Sequence, residues 1–131
     1  RTGSGVIVYP EGTLTRDPDM WPMRGKTGAV RIALDGGIPL IPMAHWGVQQ
    51  IMPRYGKVRV WPPRRRVRVL FGPPIPPPDS TERGASVQNE ATTKLMDRVA
   101  DLLGELRGET PPPERWDPSA HQQKETGRFE S

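Results

Sequence analysis

The chain has 131 residues, room for one domain with a modest core. Only 34% of it is apolar and 17 residues are proline, so part of the chain is expected to lie outside any packed core. A formal charge of +4 suits a partner carrying phosphate, while the lack of cysteine excludes a disulfide framework or thiolate centre and fits a reducing compartment.

Residues 6–9, Val-Ile-Val-Tyr, are apolar and mostly β-branched, which predicts a buried strand. Pro10 ends the pairing because it has no N–H to donate. Glu11, Gly12 and Thr13 follow where the strand opens into a loop, the place where parallel α/β sheets bind ligands. A carboxylate, a glycine admitting close backbone approach and a hydroxyl suit a polar ligand, although Pro-Glu-Gly-Thr spacing equally suits an ordinary turn. Because the chain opens on Arg and Gly-Ser-Gly ahead of a core-like strand, it is expected to be the later part of a longer protein.

Residues 15–25 form a loop carrying Asp17, Asp19, Trp21 and Arg24. Residues 26–35 predict a short helix with Ala29, Val30, Ala33 and Leu34 on one face and Gly36-Gly37 as its stop. Residues 38–44 predict the next strand, where Pro39 and Pro42 argue for an edge, a bulge or a strand end. Strand, helix and strand make a right-handed βαβ unit with parallel strands, which puts Glu11 and the loop after Met43 on one sheet edge. The long loop must then bring Arg24 and Lys26 back to that edge. Residues 45–53 are a loop, and residues 58–61 and 67–71 predict a strand pair whose valine and arginine alternation buries one face and leaves the other basic. Residues 72–79 are a proline-rich linker. Residues 87–107 predict a long helix with Val87, Ala91, Leu95, Val99, Leu102, Leu103 and Leu106 in one stripe, Ser86 as cap and Gly108 as stop. No apolar run is long enough to span a bilayer, and the polar stretch after Gly108 has no period and is expected to be disordered.

Three blocks, Tyr9-Pro-Glu-Gly-Thr13, Gly25-Lys-Thr-Gly-Ala29 and Ile38-Pro-Leu-Ile-Pro42, stand in an order that resembles the glycerolipid acyltransferase family, typified by 1-acylglycerol-3-phosphate acyltransferases. The likeness covers residues 5–53, and more loosely 67–75 and the last helix. It implies an α/β fold with a parallel or mixed sheet and flanking helices, a partial acyltransferase domain over residues 1–107 and a disordered tail over 108–131. It implies transfer of a fatty acyl group from acyl-CoA or acyl-carrier protein to lysophosphatidic acid, with no cofactor or metal, peripheral to the cytoplasmic inner face of the plasma membrane.

In that family Glu11, Gly12 and Thr13 would bind the acceptor, the carboxylate fixing loop amides or glycerol hydroxyls and the other two offering donors to phosphate oxygens. The position after Thr13, often arginine, is Leu14 here, so Arg16, Arg24 or Lys26 would supply the missing cation. The family's catalytic pair is a histidine with an aspartate five positions later, upstream of the Pro-Glu-Gly block. The two histidines here, His45 and His121, lie downstream and are followed five positions on by Gln50 and Thr126. No catalytic residue is therefore assigned, and the chain alone is expected to be inactive.

His45 reads more simply as a loop or core residue, and Trp46, Trp61 and Trp116 as packing or interfacial anchors. Lys57, Arg59, Arg64, Arg65, Arg66 and Arg68 read as a solvated strand face, or as contacts to an anionic membrane surface or to coenzyme A phosphates. Aromatic residues do not interleave with these cations, so nucleic acid is not an expected partner. The alternative from another class, a basic membrane- or nucleic-acid-binding module without catalysis, rests on the arginine strand pair alone.

Overall fold

The computed structural model describes residues 3–54, 56–79, 81 and 83–124. Two helices and two short strands follow in the order α1 (Gly28–Gly36), β1 (Met43–Trp46), β2 (Arg68–Phe71) and α2 (Ala85–Arg107). The overall class is α/β. Leu95, Leu102, Leu103 and Leu106 recur at three- and four-residue spacing and bury one face of α2, and Met96 and Ala100 widen that stripe. Gly84 caps α2 with its carbonyl accepting the Gln88 N–H, so Ser86 stands inside the first turn and is not the cap. Gly108 ends the helix in the left-handed region, at φ 67°. In α1 the four residues expected on the inner face, Ala29, Val30, Ala33 and Leu34, are the buried ones. A core of Trp21, Ala44, Leu102, Leu103 and Leu106, with Trp46 and Leu70 against it, joins α2 to the strands.

The sheet departs from the parallel or mixed arrangement expected. Among the described residues it has two strands, β1 and β2, paired antiparallel from Met43↔Phe71 to Trp46↔Arg68. Pro39 and Pro42 cannot donate, which delays the ladder until Met43. The same two chain segments continue alongside each other through Gly72 N–H to the Pro42 carbonyl, 2.8 Å, and through the antiparallel Leu40↔Ile75 bridge. His45 accordingly sits in β1 opposite Val69, and not in a loop.

Residues 6–9 form no strand and are exposed, so the βαβ unit is not formed. An apolar run supplies only the capacity to pair; β2 is the segment hydrogen-bonded to β1, and among the described residues no strand reaches Val6. Residues 58–61 are likewise outside any ladder, so the strand pair expected over 58–71 does not form either. Pro62 and Pro63 remove two donors just beyond them, and the Arg59 N–H bonds instead to the Ile51 carbonyl at 2.7 Å.

Residues 109–124, expected to be disordered, return along the molecule. The Glu109 N–H bonds to the Gly104 carbonyl, Trp116 forms a parallel bridge with Met23, and the Trp116 ring stacks on His121 at 3.7 Å. The rest of the expected disordered tail, 125–131, lies outside the described residues. No described helix is long and apolar enough to cross a membrane.

Candidate functional site

Two hydrogen bonds fold the Pro-Glu-Gly turn onto residues 23–27. The Gly12 N–H bonds to the Tyr9 carbonyl at 3.0 Å, closing a turn in which Gly12 has φ 68°, a region that costs an L side chain energy. The Lys26 N–H donates to the Pro10 carbonyl at 2.8 Å, and the Met23 N–H donates to the Glu11 carboxylate at 3.0 Å. From the other side the Trp116 carbonyl accepts the Arg24 N–H at 2.9 Å. Residues 23–27 thus run between two segments far apart in sequence. At Gly25 a side chain would meet Met96 Cγ at 2.7 Å, so this position must be bare for the segment to lie against α2.

A cavity of about 260 Å³ opens where these segments meet, lined by Glu11, Met23, Arg24, Gly25, Lys26, Thr27, Asn89, Asp117 and Pro118. Glu11, Arg24 and Lys26, singled out from sequence, come together here. The loop carries both cations to the cavity that Glu11 lines, through the Lys26 and Met23 amides and not through a shared sheet edge. Gly12 lies beside the Lys26 side chain, and Thr13 is half-buried outside the lining. Arg16 is 7% exposed and also outside the lining. Its N–H points at Met23 Sδ, 3.1 Å away, because the surrounding loop is pinned by Arg54, whose Nη1 donates to the Thr15 and Asp17 carbonyls at 2.6 and 2.8 Å. Asn89 and Asp117 were not legible as site residues. Asn89 sits off the leucine stripe of α2, and the signal for Asp117 was the lone Trp116 in an otherwise polar tail.

The electrostatics are uneven. Burial pushes the Glu11 carboxyl up from an ordinary 4.5 to about 7; the Met23 N–H pulls it down, and the negative charge of Asp17 adds to the rise. Hydrogen bonds from the Ser119 hydroxyl and amide hold the Asp117 carboxyl below the usual range, and the Arg24 guanidinium adds to this. Arg24 Nη1 and Asp117 Oδ2 are 3.1 Å apart. Among the described residues no group of three or more His, Cys, Asp or Glu is placed to hold a metal ion.

The Glu11 proton makes stability depend on pH. Between pH 4.5 and about 7 the folded chain holds a proton that the unfolded chain has released, so this stabilisation is complete below 4.5 and is lost as pH rises through 7. The loss is at most about 3 kcal/mol. Glu11→Gln keeps an oxygen for the Met23 N–H but cannot ionise. Its urea-unfolding free energy is expected to be flatter across that window than that of the parent chain, and equal slopes would contradict the assignment.

The sequence model of the acyltransferase family matches residues 1–46. All three blocks that carried the resemblance fall inside the matched residues. The chain is also similar to the chloroplastic 1-acyl-sn-glycerol-3-phosphate acyltransferase BAT2 of Brassica napus. The two are 36% identical over 67 aligned positions, covering 46% of this chain and 19% of the relative. The chain therefore spans about a fifth of the length of that relative. No solved structure matches.

Proposed function

We propose that the cavity bounded by Glu11, Arg24 and Lys26 takes the phosphorylated glycerol of 1-acylglycerol 3-phosphate, the acceptor of an acyltransferase of phospholipid synthesis. The donor in this reading is acyl-CoA or acyl-carrier protein. One observation carries it: Glu11 of the first block, Lys26 of the second and Arg24 just before the second converge on one cavity within the residues that match the acyltransferase model. Arg24 already holds one carboxylate oxygen of Asp117, and its planar fork suits the oxygens of a phosphate equally. Lys26 adds a second positive charge, and Glu11, with one oxygen fixed by the Met23 N–H, keeps the other for a glycerol hydroxyl. In the reaction the acceptor hydroxyl oxygen bonds to the thioester carbonyl carbon, the C–S bond breaks, and the thiol leaves with the proton.

Neither histidine of this chain has an aspartate five positions on, so binding and not turnover is the test. Titration calorimetry with 1-acylglycerol 3-phosphate, kept below its micellar concentration, is expected to show saturable binding. Arg24→Ala with Lys26→Ala should weaken it at least about tenfold, the scale of losing charge-assisted hydrogen bonds. Unchanged affinity in the double variant would overturn the reading.

A further inference from the structure

Seven of the chain's 19 Lys and Arg and none of its 15 Asp and Glu lie between residues 36 and 78. The net +4 therefore arises entirely in this stretch, and the remainder of the chain carries a net charge of −3. Five of the seven, Lys57, Arg59, Arg64, Arg65 and Arg66, fall within residues 57–66, and among the described residues none of them pairs with a carboxylate. The same ten residues hold large apolar groups in the open: Val60 and Trp61 are each 80% exposed, and Val58 is exposed beside them. The apolar residues left open at 6–9 have no cation among them, so residues 57–66 differ in combining both. The Trp61 carbonyl accepts Arg65 Nη2 at 2.9 Å, and the Arg59 N–H is bonded to Ile51, which ties the cations and the ring into one short loop.

Uncompensated cations next to an exposed indole and two valines match one surface closely, the headgroup layer of an anionic bilayer. There phosphates meet the charges, and the indole, apolar with one polar edge, sits at the boundary. Single-stranded nucleic acid would need several rings interleaved with the charges, and Trp61 is the one aromatic of residues 57–66. We infer that residues 57–66 dock the protein on an anionic lipid surface, with Val60 and Trp61 entering the interface and Arg64–Arg66 meeting headgroup phosphates. This inference is independent of what the cavity binds.

Vesicle sedimentation of the 131-residue chain tests it, with phosphatidylcholine vesicles prepared with and without phosphatidylglycerol. Binding is expected only with the anionic lipid. Arg64→Ala, Arg65→Ala and Arg66→Ala together should lower it on the order of a hundredfold, since each surface cation contributes roughly a fivefold factor at such a surface. Brominated lipid should quench tryptophan emission in the parent chain and leave the Trp61→Phe protein largely unquenched, because Trp21 is buried, Trp46 packs on the core under Arg107 and Trp116 stacks on His121. Circular dichroism keeps the comparison sound, as the loop belongs to no helix or strand and the variants should fold alike. Equal binding to both vesicle types, a triple variant that binds as well as the parent, quenching that persists in Trp61→Phe, or displacement of the vesicles by an oligonucleotide would each overturn the inference.

Discussion

Replacing Arg107 by alanine is expected to lower the unfolding free energy by about 3 kcal/mol, read as a fall in the urea midpoint with the slope unchanged. Arg107 is the last residue of α2, and its side chain is only 9% exposed. Its guanidinium carbon lies 4.2 Å from the ring centre of Trp21 and 4.5 Å from that of Trp46. Nη1 donates to the Asp19 carbonyl at 2.7 Å, and Nη2 pairs with the Glu109 carboxylate at 2.7 Å. One cation thus closes the end of the helix, the loop before Trp21 and the start of the returning tail. A desolvated cation over an indole contributes up to about 2 kcal/mol, and each hydrogen bond from a charged donor about as much, while competing hydration of the free side chain reduces the total. Arg107→Lys keeps the charge without the planar fork and is expected to recover less than half of the loss. An alanine variant within about 0.5 kcal/mol of the parent would show the cluster to be passive.

Gly47→Ala is expected to cost at least as much. Gly47 directly follows β1 and has φ 113°, and a Cβ there would run into the Arg66 carbonyl oxygen, with Val67 Cα 3.2 Å away. Those atoms are backbone just before β2, whose first residue pairs with Trp46, so they cannot withdraw without opening the ladder. Strain at such a backbone angle and overpacking each cost about 1–3 kcal/mol, and here they act together. Gly28→Ala is the control. No atom lies within 4 Å of a side chain placed there and it heads α1, so a neutral or slightly stabilising change is expected. Thermal unfolding of the two variants side by side checks both, and a Gly47 variant that melts with the parent would contradict the close contact.

The helices were legible because their information is local. Ala29, Val30, Ala33 and Leu34 repeat at the helical period, and Leu95, Leu102, Leu103 and Leu106 do so again, with a glycine past each end. Strand pairing is not local. Residues 6–9, 58–61 and 68–71 carry much the same valine-rich signal, yet only the last finds an edge to bond to. Proline at 39 and 42 hinted at an interrupted ladder without indicating the direction of its partner. Glu11 and Lys26 could be named because they sit in recognisable blocks and Arg24 because it adjoins one, whereas Arg16 differs from Arg24 only in being pulled inward by a loop held by Arg54. Asp117 had no periodic pattern to announce it, only the tryptophan beside it. Ser119 and Arg24 hold its side chain, in a stretch where no period repeats.

The bridge between Met23 and Trp116 has a practical meaning for anyone handling this protein. A version cut after Arg107 would keep both helices and the strand ladder, yet strip one wall from the cavity and bare a methionine that is now sealed. What remained would be an open trough with an unclasped Arg24, so a protease nick within residues 111–113 is expected to open the cavity before the helices melt.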